Sequence, residues 1–390
     1  MRNPITILED AFKHNFGVLP QVIVKAPGRV NIIGEHTDYN HGYVLPMALE
    51  QSIYIAGRTR SDSILNFTAL NTQRTSIADI NCPVRNPIEP WMDYIVGVVA
   101  ELKKLGFTLK GVDGIIYGEV PIGCGLSSSA ALEMATLKLF EMLNEFHLDD
   151  VESAKLGQRV ENNFLGLKSG IMDQFISRCG KKDHALFIDC RTLNFELVPL
   201  KLSEHTFVIS NTNYPRGLTD SKYNERVYEC QKAVEILQKS SGKTGTYLRD
   251  FTLKDLENAK NDLEDTIYRR ALHVITENQR VLDFLSALKN SNIEDLGILL
   301  NESDYSLQRN YEVTNRELEV ITQIARSIEG CIGARMTGAG FGGCTINLVR
   351  KDCTEKFIDT LLSEYEKATG RKGSCIISSP SDGANIVKRY

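Results

Sequence analysis

Hydrophobic and polar positions follow two different periods along this chain. Short runs rich in β-branched and aromatic residues at 21–24, 51–58 (QSIYIAGR), 112–118 (VDGIIYG), 184–190 (HALFIDC) and 205–210 predict strands. Residues 127–143 (SSSAALEMATLKLFEML) open on serines and then set Leu132, Ala135, Leu139 and Met142 on one face, which predicts a helix. A further helix is expected over about 152–165, and another from Trp91 (WMDYIVGVVAELKKL), with Tyr94 three residues on and on the same face. From about 222 to 328 charged residues alternate with Leu, Val and Ile in a mostly helical pattern. The end of the chain returns to strand (343–349), helix (354–368) and strand (373–378). Strands and helices mixed without strict βαβ alternation predict an α+β fold rather than a doubly wound sheet. At 390 residues the chain exceeds the usual size of one core, so two domains are expected, with a boundary near 190–215.

Composition narrows the classes. With 42% hydrophobic and 24% charged residues the chain is globular, not disordered. Forty-five Lys and Arg against 50 Asp and Glu leave a net charge of −5, so there is no bulk electrostatic reason to bind nucleic acid or an anionic membrane. Apolar runs such as 95–100 fall far short of the roughly 20 residues that span a bilayer. Glu9, Asp10 and Lys13 stand where a signal peptide needs its apolar stretch, so a soluble cytoplasmic protein is expected. The nine cysteines are odd in number and contain no Cys-x-x-Cys, which reads as buried reduced thiols rather than disulfides or zinc. Metal chemistry, if present, would use hard oxygen ligands.

Three glycine-rich stretches carry candidate chemistry. In KAPGRVNIIGEHTDYNHGYVLP (25–46), Arg29, Glu35, His36 and Asp38 crowd around Gly28 and Gly34. A solvated turn would look similar, but Val30, Ile32 and Ile33 should bury the segment and turn its polar groups to a shared cavity. In GEVPIGCGLSSSAALEMA (118–135), Gly123 and Gly125 allow close backbone approach, and Ser127, Ser128 and Ser129 lead into the helix. Open N–H groups, the helix dipole and three hydroxyls make an anion cradle; the bland alternative is a serine-capped helix. It is not a Walker A loop, since Gly242-Lys243-Thr244 has Leu237 where the leading glycine belongs. In RMTGAGFGGCTINLV (335–349), Gly338, Gly340 and Gly343 spell G-x-G-x-x-G, but the stretch runs into a strand, which rules out dinucleotide binding.

These three stretches, in this order, resemble the motifs of the GHMP sugar and small-molecule kinases. GRVNIIGEHTDYN is similar to the signature of the galactokinase family, and the likeness extends through GIMDQFIS (170–177), KKDHALFIDCRTL (181–193), DSKYNER (220–226) and NYEVTNRELE (310–319). The resemblance implies a two-domain α+β fold, 1–200 with the sugar signature and phosphate loop and 201–390 with the helical segment and third motif, and an active site in the cleft between them. It implies ATP-dependent phosphorylation of the anomeric hydroxyl of galactose, with Mg2+ and no macromolecular partner, by a monomer. Carried over by motif, Asp173 is the catalytic carboxylate and Arg29 its cationic partner. Glu35, His36, Asp38, Gly170, Asp173 and Tyr223 match sugar-binding positions. Gly123, Gly125, Ser127, Ser128 and Ser129 match the phosphate loop, Trp91 and Tyr94 the adenine side, and Ser129 with Glu161 the magnesium pair. Ser169, Val227, Leu272 and Asn310 depart from the common pattern, at positions with no carried-over role. The competing expectations are a kinase of a related sugar (N-acetylgalactosamine or arabinose) and a non-catalytic sensor.

Overall fold

The β-branched run near residue 22 does not stop where its alternation fades. In the computed structural model, which describes residues 3–215 and 219–390, strand β1 spans Val22–Ile33 and carries Arg29 inside it. Pro27 lacks an N–H and would break a regular ladder; here the register with the next strand shifts between Pro27 and Arg29, so the strand continues across it. With β2 (Tyr43–Thr59), β3 (Ile64–Ala69), β4 (Arg74–Asp79) and β5 (Val112–Gly118) it builds a sheet in which only β3 and β5 pair in parallel. β6 (His184–Asp189) joins the start of β2, and β7 (Phe195–Pro199) joins β6.

Helix α1 (Pro4–Phe16) precedes this sheet, and α2 (Met92–Lys104), α3 (Ser128–Leu143), α4 (Asp150–Arg159) and α5 (Met172–Cys179) complete its half of the molecule. α3 is buried on most of its circumference because it packs on β1 and β2 and on α2 and α5. The helix expected over 152–165 ends earlier, at Arg159, and continues as a wider π-helical turn over Val160–Leu165.

The second sheet consists of β8 (His205–Asn211), β9 (Cys331–Thr337), β10 (Cys344–Arg350) and β11 (Ser374–Ile377), all antiparallel, in the order β11-β8-β10-β9. Between β8 and β9 lie α6 (Thr219–Ser241), α7 (Leu253–Asn258), α8 (Asp265–Lys289), α9 (Ile293–Ser306) and α10 (Arg316–Ser327); α11 (Thr354–Thr369) follows β10. α10 shows the expected period, burying Leu318, Ile321, Thr322 and Ala325 and exposing charge between them. The DSKYNER stretch begins at Asp220 and Ser221, whose side chains lie outside the described residues.

The mixed, largely antiparallel sheets agree with the α+β expectation. The last strand, β12 (Asn385–Arg389), crosses back and pairs with β1. Division of the chain at 200/201 therefore leaves β12 with the wrong sheet. One apolar core runs through both halves, joining Ile32 and Ile33 of β1 to Val281 and Phe284 of α8 and to Ile346 and Leu348 of β10. Elements absent from the sequence reading are α1, the β3–β4 hairpin, α5, β7, β9 and β12. No helix among the described residues is long and apolar enough to cross a membrane.

Candidate active site

A cleft of about 950 Å³ opens where β1, the start of α3 and the start of α5 meet, and every site residue singled out above lines it. Its floor is an ion pair. Arg29, buried within β1, donates from Nε to Asp173 Oδ1 at 2.7 Å and from Nη2 to Asp173 Oδ2 at 2.6 Å, while Nη1 donates to the Gly125 carbonyl at 2.6 Å. Asp173 stands in the first turn of α5. Burial works against the charge of Arg29, but Asp173, Glu35 and Asp38 outweigh it and keep the guanidinium protonated. The fork locks loop 123–129 and α5 onto one strand.

Ser127 occupies the N-cap position of α3 in the left-handed conformation, yet its hydroxyl caps nothing. It donates instead to Asp173 Oδ2. Gly123 and Gly125, at φ 75° and 82°, supply the turns that bring the chain round to this point. The first turn of α3 thus faces the cleft with no side chain capping it, beside Ser128 and Ser129, as anion binding requires. The serine-capped alternative is not what the structure contains.

Beyond the ion pair lies a polar pocket. Glu35 is buried and receives Nη2 of Arg335, whose Nη1 bonds the carbonyls of Asn31 and Ile32 at 2.9 and 2.8 Å. Burial raises the Glu35 carboxyl, against the pull of Arg335 and Arg29. His36 is buried and kept neutral, lowered well below its usual value by burial and then by His273, Arg226 and Arg335. Its Nδ1 meets the Tyr39 hydroxyl at 3.0 Å, and Nε2 has no partner. Asp38 packs directly on Gly170, where any Cβ would collide with its carboxylate. Tyr223 of α6 closes this side, its ring 5.6 Å from that of His36.

Residues 10–59 match the galactokinase galactose-binding signature, 93–181 the GHMP kinases N terminal domain and 284–367 the GHMP kinases C terminal model. The chain is 41% identical to the galactokinase of Roseiflexus sp. (strain RS-1), over 97% of this chain and 96% of that protein. The chain belongs to the galactokinase family. Another family member, the galactokinase of Halalkalibacterium halodurans, is 43% identical over 93% of this chain and 92% of its own length. The crystal structure of Lactococcus lactis galactokinase complexed with galactose matches with a TM-score of 0.95 at 35% identity, covering 99% of this chain and 100% of that one. The GHMP-type α+β fold expected from the motifs is the fold of this galactokinase-family chain.

The remaining expected pairs also meet in the cleft. Ser129 Oγ lies 3.4 Å from Glu161 Oε1, and the π-helical turn after α4 places that carboxylate. Burial raises Glu161 and the charge of Asp173 adds to this, while hydroxyl and amide contacts from Ser169, Gln174 and Ser129 oppose it. Among the described residues no cluster of three or more His, Cys, Asp or Glu is arranged to hold a metal. One carboxylate and one hydroxyl fit a hard cation that takes its other ligands from phosphates and water, as Mg2+ does. Trp91 and Tyr94 line the opposite end, and the indole N–H is turned away to Glu89 Oε2 at 2.7 Å, leaving the ring as an apolar wall.

Sequence reasoning passed over several contributors. Arg335 opens the third glycine-rich stretch, where the glycines draw attention from it. Glu277 of α8 accepts the amides of Gly34 and Glu35 at 3.0 and 3.3 Å, and His273 Nε2 meets the Glu35 carbonyl at 3.0 Å. In the sequence both look like ordinary polar positions of a long helix, with no local signal.

Proposed function

We propose that this chain transfers the γ-phosphoryl group of ATP to the anomeric hydroxyl of galactose, releasing ADP and galactose 1-phosphate. The observation that carries the reading is the Arg29–Asp173 fork, which stands between an uncapped helix start on one side and a pocket of fixed polyol ligands on the other. Phosphoryl transfer asks for positioning and charge neutralisation more than covalent help, and these are the parts present. In this reading Glu35, His36, Asp38, the Gly170 backbone and Tyr223 hold the sugar. Asp173 accepts the proton of the attacking hydroxyl, while Arg29 orients that carboxylate and stabilises the oxygen as it becomes anionic. Gly123, Gly125, Ser127, Ser128 and Ser129 cradle the phosphates, and Trp91 with Tyr94 flanks the adenine. Ser129 and Glu161 would hold Mg2+, which when bound neutralises phosphate charge. The first 200 residues supply most of this machinery and the remainder contributes Tyr223 and the third motif. Nine cysteines without a disulfide among them support a cytoplasmic setting.

A coupled ADP-release assay with a sugar panel tests the proposal. Galactose should support turnover and glucose very little, because a site built on hydrogen bonds to ring hydroxyls discriminates strongly between epimers. Turnover with N-acetylgalactosamine or arabinose but not galactose would shift the reading to a related sugar, and no ADP release with any sugar would overturn it. Asp173→Asn should lower kcat by roughly 10²-fold or more. It should also lower Tm, since the buried Arg29 would lose its counter-charge.

A further inference from the structure

The turn that carries Asp38 is gripped from outside the cleft by a residue of the second half of the chain. Arg249, in a short 3₁₀ turn (Leu248–Asp250), donates from Nη1 to the His41 carbonyl and from Nη2 to the Tyr43 hydroxyl, both at 2.8 Å. The same fork bonds both oxygens of Asp189, with Nη2 to Oδ2 at 2.9 Å, and the guanidinium carbon lies 4.1 Å from the centre of the Tyr43 ring. Tyr247 stacks its ring on that of His41 at 3.5 Å. We propose that Arg249 is a positioning residue for sugar binding: by clamping the His41 carbonyl to Asp189 it holds the 38–43 turn so that Asp38 stays in the cleft against Gly170, where it accepts a hydrogen bond from a hydroxyl of the sugar. The proposal rests on the reading of this pocket as the sugar site.

The grip reaches Asp38 through a few backbone bonds. The His41 amide donates to the Asp38 carbonyl at 3.0 Å, and the amides of Asn40 and Gly42 donate to the Thr37 carbonyl at 3.1 and 2.8 Å. His41 is left-handed, at φ 55°, a conformation that a residue other than glycine keeps only where its surroundings hold it. Arg249 on its carbonyl and Tyr247 on its ring supply that hold. The other end of the clamp is fixed as well, because Asp189 Oδ1 accepts the amides of Arg191 and Thr192 at 2.9 and 3.3 Å. Burial opposes the charge of Asp189, yet Arg249 and the two amides hold its carboxyl down at about 2, so the anchor stays ionised.

Asp38 needs such a hold because its surroundings push its charge out. Burial opposes the carboxylate, and Asp173 and Glu35 repel it, while the Tyr39 amide and Arg29 act the other way. Tyr223 and Cys190, which border it, are kept protonated, by burial first and then by Asp38 itself. A carboxylate pressed between like charges moves away once its backbone loosens, and the Gly170 contact leaves room for one placement only. The phosphate loop and Trp91 stand on other segments, so loosening of the 38–43 turn should not reach the nucleotide.

The test separates position from stability. Arg249→Lys keeps a cation beside Asp189 but lacks the planar fork that bonds Asp189, His41 and Tyr43 together. It should raise KM for galactose by about tenfold, the effect of one misplaced hydrogen bond, while KM for ATP stays within about twofold. Arg191→Gln is the control for a merely structural brace: it breaks a bond to Asp250 of the same 3₁₀ turn, and should lower Tm without moving either KM. In unliganded protein with ¹³C-labelled aspartate carboxyls, the Asp38 signal, assigned by its loss in Asp38→Asn, should titrate at about 7 in the wild type and at lower pH in Arg249→Lys, as the carboxylate leaves its neighbours. An unchanged galactose KM in folded Arg249→Lys would overturn the proposal, as would an equal rise of both KM values, an equal rise of galactose KM in Arg191→Gln, or an Asp38 midpoint that does not move. A lowered midpoint in a protein that turns over no sugar would leave the clamp standing and sink the sugar reading instead.

Discussion

At Asp38 the cleft opposes a carboxylate charge strongly. Burial pushes its carboxyl up to about 7; Asp173 and Glu35 add to the shift, while the Tyr39 amide and Arg29 oppose it. In the unfolded chain the same group titrates near 3.9. Between these two values the folded protein binds a proton that the unfolded chain does not, so Asp38 erodes stability as pH rises from about 4 to about 7. Asp38→Asn removes that titration. The unliganded variant should therefore gain stability over wild type as pH rises through this window, by up to about 1.4 kcal/mol per pH unit. Urea denaturation at pH 4.5, 6 and 8 measures the difference, and a gap that does not change with pH would contradict the argument. At the other end of the cleft, Trp91→Leu should weaken ATP and ADP binding by about 1–3 kcal/mol, the range for one base–aromatic stack. The galactose dissociation constant should stay the same, because the residues proposed to hold the sugar lie on other segments. Saturable quenching of the one tryptophan by nucleotide is the direct readout.

At the scale of elements, the site is made by ends and irregularities rather than by helix bodies. α3 matters for its uncapped start, α5 for its first turn, and the π-helical turn after α4 for the side chain it aims, Glu161. α8 is the exception, because its middle anchors the 34–36 turn. Glu277 accepts not only the two backbone amides but also Ser303 Oγ and Arg280 Nε, each at 2.7 Å. Burial opposes its charge, yet Arg280, His273, Arg335 and the Ser303 hydroxyl hold the carboxyl down at about 2. A depressed carboxyl contributes stability that is present above its unfolded value near 4.3 and is lost as pH falls toward 2. Glu277→Gln should cost about 3–5 kcal/mol at pH 7, since it strips a buried, fully bonded charge from its partners. Galactose KM should rise with it, and the stability gap should narrow below pH 4. An unaltered denaturation midpoint at pH 7 would show that the helix does not hold the turn.

At the scale of the molecule, the continuous core and the returning last strand keep the cleft in one geometry. Ile32 and Ile33 share one apolar core with Phe284 and Ile346, so the strand that bears Arg29 belongs to a core built from both halves. β12 covers the outer edge of β1, and its Lys388 with the following Tyr390 bonds Glu9 of α1. Removing residues 384–390 would strip that edge and expose unpaired backbone along the strand carrying Arg29. The truncated protein should melt at lower temperature and aggregate on concentration. A monodisperse truncation with wild-type Tm and kcat would show that the returning strand is dispensable.

Much of the candidate site was legible in the linear chain because its parts are local. Gly123 to Ser129 form the loop and the helix start from consecutive residues, and Arg29 to Asp38 lie within one strand and one turn. Turn chemistry, strand composition and helical period act over a few residues, so a single segment encodes them. The α+β class and the motifs that mark the galactokinase family follow from such segments taken in order. What joins distant residues did not show in any segment. The Arg29–Asp173 fork spans 144 positions, Arg335 reaches Glu35 across 300, and Glu277 reaches Gly34 across 243. The return of β12 to β1 is likewise a matter of pairing, which short β-branched runs do not specify. Burial decides whether Glu277 is a surface charge or an anchor, and burial exists only once α8 has packed on β1. Tertiary packing made those choices, since the low-dielectric interior gives a polar residue its partner, its protonation state and so its role.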